Sequence, residues 1–104
     1  MTLFEVLVES AAETPDAERV DAPDGSIAWS VGGTPFALLS GEGSVASFLL
    51  DPTVAAAAVR TPDARASSRG PGWVELQPAE VDEHAADRAN AWFIFAYGRR
   101  AAGR

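Results

Sequence analysis

The chain has 104 residues, enough for one domain with its own hydrophobic core. It is 47% hydrophobic and 22% charged, a globular balance, and it has no cysteine, which removes disulfides, thiol nucleophiles and Cys-based zinc sites. The net charge of −7 is unevenly spread: residues 1–52 hold nine acids and one base, Arg19, whereas residues 53–104 hold six acids and seven bases. All eight bases are arginine, so no Schiff-base or lysine-base mechanism is available. An acidic chain is repelled by phosphate backbones unless its bases cluster. Arg60, Arg65 and Arg69 form one candidate cluster, and Arg99, Arg100 and Arg104 a second. No apolar run approaches the ~20 residues of a membrane span. Met1–Glu5 carries no basic side chain and does not read as a signal peptide, so a cytoplasmic location is expected.

In chain order, Thr2 and Glu5 fit a capping box. Phe4, Leu7, Val8 and Ala11 follow at helical spacing and predict an apolar face on a helix running to about Glu13, where Thr14-Pro15 ends it. A weak strand is expected around Glu18–Ala22, then a turn at Pro23-Asp24-Gly25. Ile27, Trp29 and Val31 alternate with Ala28 and Ser30, the period of a half-buried strand. Gly32-Gly33 suits a two-residue hairpin turn. Pro35–Ser40 and Ser44–Leu50 read as two further strands, and Phe48-Leu49-Leu50 suggests a central strand apolar on both faces. Asp51-Pro52 is a helix start, with Asp as cap and Pro at the first helical position, and Thr53–Val59 is the helix. Asp63–Gly72 reads as an exposed loop and Trp73–Gln77 as the last strand. Asp82 caps a final helix with Ala85, Ala89, Trp92, Phe93 and Ala96 on one face, and with Arg99 and Arg100 at the end where the helix dipole favours cations.

Tight turns between consecutive strands make them antiparallel. The expected fold is α+β, a single domain over residues 1–104: an antiparallel sheet of four to five strands with helices on one face, in the order α-β-β-β-β-α-β-α.

Candidate sites are few. Gly41-Glu42-Gly43-Ser44-Val45-Ala46 matches a dinucleotide-loop pattern, G-x-G-x-x-A, but a strand-length segment follows where that loop requires a helix. A hairpin turn is therefore expected there. Glu80, His84 and Asp87 have helical spacing, but one histidine with two carboxylates is a poor metal set and a solvated first turn is the plainer expectation. Ser40, Ser44 and Ser47 lack the context of an activated nucleophile. No catalytic, cofactor or metal residues are assigned, and the reading leans away from an enzyme. Trp29, Phe36, Phe48 and Trp73 are candidates for a groove or interface, and a small-molecule pocket near Trp29 and Trp73 is the alternative. A sheet covered on one face leaves the other to be polar or to be buried by a partner. Strands holding Ala37, Leu39, Ala46, Phe48 and Leu50 were expected to be apolar on both sides, which points to a homodimer or an apolar partner.

Several segments together resemble the MmcQ/YjbR family of small bacterial domains. They are Ile27-Ala28-Trp29-Ser30-Val31-Gly32-Gly33, Pro35-Phe36-Ala37-Leu38-Leu39, Gly43, Phe48-Leu49-Leu50-Asp51-Pro52, Gly72-Trp73-Val74 and the helix from Val81-Asp82-Glu83 to Ala91-Trp92. The resemblance implies a fold similar to that of secretion chaperones, often paired as dimers. It also implies a DNA-binding label, for which Arg60, Arg65, Arg69, Arg99 and Arg100 would be the contacts. Thr34, Pro71 and Gly72 stand where the family commonly has basic or histidine residues, and the resemblance brings no catalytic residues with it.

Overall fold

A computed structural model describes residues 1–103. Its elements are α1 (Leu3–Ala11), β1 (Glu18–Asp21), β2 (Ile27–Val31), β3 (Thr34–Leu39), β4 (Ala46–Leu49), α2 (Pro52–Ala58), β5 (Ala64–Ala66), β6 (Trp73–Leu76) and α3 (Glu83–Ala102). All strand pairs are antiparallel, and one open sheet runs β1-β2-β3-β4-β6-β5. The fold is therefore α+β, with six strands rather than four to five. The added strand, β5, lies in the stretch expected to be a loop. It pairs with β6 through Ala64↔Leu76, Arg65↔Glu75 and Ala66↔Val74. Among the described residues no helix is long and apolar enough to cross a membrane.

The helix ends follow from local chemistry. Thr2 Oγ1 accepts from the Glu5 amide at 3.1 Å while the Glu5 carboxylate accepts from the Thr2 amide at 2.9 Å, a complete capping box. Asp51 and Asp82 cap α2 and α3 by accepting from Thr53 N and Ala85 N. The face of α1 is rotated from expectation: Leu3, Val6, Leu7 and Ser10 are buried, whereas Phe4 and Val8 are 40% and 37% exposed. Ser10 Oγ lies 2.6 Å from Asn90 Oδ1 and 2.9 Å from the Val6 carbonyl, which ties α1 to α3. Phe4 is sheltered by Arg19, whose guanidinium sits 5.2 Å from the ring centre.

Directly paired residues point to the same side of a sheet. The register therefore puts Ile27, Trp29, Ala37, Leu39, Ala46, Phe48, Val74 and Leu76 on one face, and every one of them is buried. This is the helix-covered face. Phe93 of α3 packs edge-on against Trp29 at 5.6 Å and Phe36 at 5.2 Å, and Trp92 against Phe48 at 6.0 Å. Ala58 of α2 belongs to the same buried cluster. Ala37, Leu39, Ala46 and Phe48 thus all face the helices, and the second face of β3 and β4 is mixed, with Leu38 and Leu49 beside Ser47. Leu50 follows the end of β4, with its amide donating to the Gly72 carbonyl at 2.8 Å.

The β2–β3 hairpin turns at Gly32-Gly33, both with positive φ (61° and 81°), as a tight two-residue turn requires. The register then shifts between Trp29 and Ser30, leaving Phe36 as the extra residue of a bulge. At the opposite end of the sheet, the β1–β2 turn and the β3–β4 turn meet backbone to backbone. A Cβ on Gly41 would lie 2.6 Å from the Asp24 carbonyl oxygen. We expect Gly41→Ala to lower unfolding free energy by about 1–3 kcal/mol, measured by urea denaturation, because two backbones must part to admit one methyl.

In the first of these turns the Asp24 carboxylate accepts from the Ser26 hydroxyl at 2.7 Å and the Ser26 amide at 2.9 Å. Both bonds hold its pKa below the ordinary aspartate value, the hydroxyl more strongly. A carboxylate favoured in the folded state adds stability above its unfolded pKa and loses that contribution as pH falls through its folded one. An NMR titration should find the Asp24 midpoint below that of an unstructured aspartate, and Ser26→Ala should raise it.

Candidate sheet-face site

The face away from the helices carries an open concavity lined by the sheet's own side chains. Register runs straight across it: Arg65↔Glu75, Glu75↔Ser47, Ser47↔Leu38, Leu38↔Ala28 and Ala28↔Val20. One side chain from each of the six strands thus forms a single row. These residues, except Arg65, line an open concavity of about 290 Å³, joined by Arg69. Ala28 and Leu38 are half-buried, and Val20 is 58% exposed. Ser47 is 7% exposed, and its hydroxyl has no hydrogen-bond partner among the described residues. A second row lies two residues further along, with Glu18 opposite Ser30 at one edge and Leu49 opposite Trp73 near the other.

The charges on this face are sorted by strand. Arg65 of β5 is paired with Glu75 of β6 at 2.8 Å. The Arg69 guanidinium lies 5.8 Å from the Trp73 ring centre and forms no salt bridge among the described residues. Glu18, at the β1 edge, likewise has no ion-pair partner among the described residues. The imbalance noted along the sequence therefore reappears in space: acid at the β1 edge, arginine at the β5 edge.

The aromatic candidates separate. Trp29, Phe36 and Phe48 are 1%, 0% and 0% exposed beneath α3, so they are core and line no groove. Trp73 alone faces outward. Trp29 and Trp73 stand on opposite faces of the sheet, so they do not share a pocket. The basic candidates separate as well. Arg60 follows the end of α2, Arg65 and Arg69 serve the open face, and Arg99 and Arg100 occupy the last turn of α3. Arg104 lies outside the described residues.

The G-x-G-x-x-A loop joins β3 to β4 and uses its own amides. Gly43 N donates to the Ser40 carbonyl at 2.8 Å, while Ser44 N and Val45 N donate to Ser40 Oγ at 3.2 and 3.0 Å. Three amides of the loop are thus turned onto Ser40 rather than toward a phosphate, and the next element is a strand. Glu80 and His84 line a cleft of about 450 Å³ with Asp63 and Arg88, whereas Asp87 lines a different groove with Glu9 and Asn90. Among the described residues no group of three or more His, Asp or Glu is placed to hold a metal ion. Arg88 is occupied there: it donates to Thr61 Oγ1 at 3.2 Å and to the Pro62 carbonyl, and lies 6.0 Å from the Trp92 ring centre.

Sequence reasoning put Trp73 and Glu75 on one face of their strand, opposite Val74 and Leu76, as the structure has them, but missed Leu38, Ser47 and Glu18 as residues of the same surface. The available signal was parity: Leu38, Ser47 and Glu75 alternate with the buried Leu39, Phe48 and Val74. Comparison with known proteins finds no matching family model, no matching curated protein and no matching solved structure.

Proposed function

We propose that this protein is a non-catalytic binding module that works as a homodimer through the open face of its sheet. One observation carries the reading: all three helices pack on one side, leaving six strands to present a concave row in which Ala28, Leu38 and Ser47 are already partly or nearly buried. Such a face is more apolar than solvent requires, and burying it gains about 25 cal/mol per Å² of apolar surface. The mixed row also gives a contact polar groups to pair, as non-obligate interfaces have.

The nucleic-acid reading implied by the MmcQ/YjbR resemblance fits less well. Arg65 is engaged by Glu75, and Arg60, just past the end of α2, does not join Arg69 in lining the open-face concavity. The net charge of −7 adds long-range repulsion from phosphates.

Leu38→Asp is the direct test, because Leu38 lies on the open face and outside the buried cluster. Sedimentation velocity at micromolar concentration should give a dimer for the parent and a monomer for the variant, with unchanged circular dichroism. A monomeric parent would remove the proposal. A parent that shifts a labelled DNA duplex at low salt, and loses the shift on Arg69→Ala, would favour the nucleic-acid reading instead.

A further inference from the structure

Two copies can place their open faces together about a two-fold axis in only two simple ways. An axis running across the strands lays each strand over its own equivalent, β1 on β1 and β5 on β5. An axis running along the strands reverses the strand order and lays β1 of one copy over the β5 edge of the other. Position along the strands is kept in the second arrangement, so residues of one row meet residues of the same row.

The charges choose between them. Across the strands, the Glu18 edge meets a second acidic edge, and Arg65 and Arg69 meet their own equivalents. Along the strands, the β1 edge with Glu18 lies over the β5 edge of the other copy, where Arg69 lies 5.8 Å from the Trp73 ring of the same row and also lines the concavity of the adjacent row. Glu18 of one copy then faces Arg69 of the other, twice per dimer. Both side chains lack an ion-pair partner among the described residues, whereas the neighbouring Arg65 is already held by Glu75. Leu38 of one copy comes over Ser47 of the other in the adjacent row, which places the apolar middle of each face on its counterpart.

We infer that the dimer forms about a two-fold axis parallel to the strands, with Glu18 of each copy paired to Arg69 of the other. The inference rests on the proposed pairing through the open face. Opposite charges at the rim steer the two faces into this orientation, and like charges disfavour the alternative. The pairing is solvent-exposed, so it weakens with ionic strength.

The test is a charge-reversal cycle read by sedimentation equilibrium at low and moderate salt. Glu18→Arg and Arg69→Glu should each raise the dimer dissociation constant by about tenfold at low salt, since each replaces two attractions with two repulsions. The double variant Glu18→Arg/Arg69→Glu should return it to within about threefold of the parent, a recovery that independent sites do not give. Circular dichroism and thermal melts of the single variants establish that the fold is intact. A dimer unaffected by either single variant, or weakened by both without recovery in the double, overturns the orientation while leaving a sheet-face dimer standing. A parent that is monomeric at all concentrations removes the reading on which the orientation rests.

Discussion

The sidedness of this sheet is decided by the bulge between β2 and β3. Trp29 pairs with Ala37 and Ser30 with Pro35, so Phe36 is the residue left over. Strict alternation would turn Phe36 away from Ala37 and into the open face. The bulge instead lets both neighbours be buried, Ala37 opposite Trp29, and Phe36 against Phe93 and Tyr97 at 5.2 and 5.9 Å. The aromatic cluster under α3 is completed by that one irregularity. The same irregularity removes a large ring from the open face and leaves Leu38 as its central apolar side chain.

The two layers are built from different materials as a result. Large rings fill the side under α3, where edge-to-face contacts add to burial. Small or polar side chains, Ala28, Ser30 and Ser47, occupy the middle of the other side. Small residues let a second surface approach closely, and a hydroxyl beside them offers a directional contact. Arginine and glutamate at opposite edges frame that middle. The sheet thus divides its side chains: one face supplies the buried core and the other is left uncovered by the helices.

Much of the fold was legible because its signals are local. The Thr2/Glu5 box, the Asp51-Pro52 start, the Asp82 cap and the Gly32-Gly33 turn each bring their own hydrogen bonds or backbone angles and depend on few distant residues. The misread parts depend on neighbours distant in sequence. In α1, Leu3, Phe4, Val6, Leu7 and Val8 allow two overlapping apolar faces. Contact between Ser10 and Asn90 selects one, and the Arg19 guanidinium makes the exposure of Phe4 tolerable. Strand β5 has only Ala64-Arg65-Ala66, with no apolar alternation, and it exists because β6 offers a free edge and Glu75 an ion-pair partner for Arg65. The candidate site was missed for a related reason. Parity along β3 and β4 is readable once the strands are placed, but the bulge that resets parity across β2 and β3 has no local signature.

The two ends of the sheet carry a further consequence. β1 is four residues long, reads Glu-Arg-Val-Asp and is exposed throughout; β5 is three residues long with a central arginine. Neither offers the long, uncharged backbone edge that recruits additional strands. The proposed pairing uses the broad side instead, and a two-fold contact that consumes both partners' surfaces at once would close at two copies, with no edge left to seed a fibre.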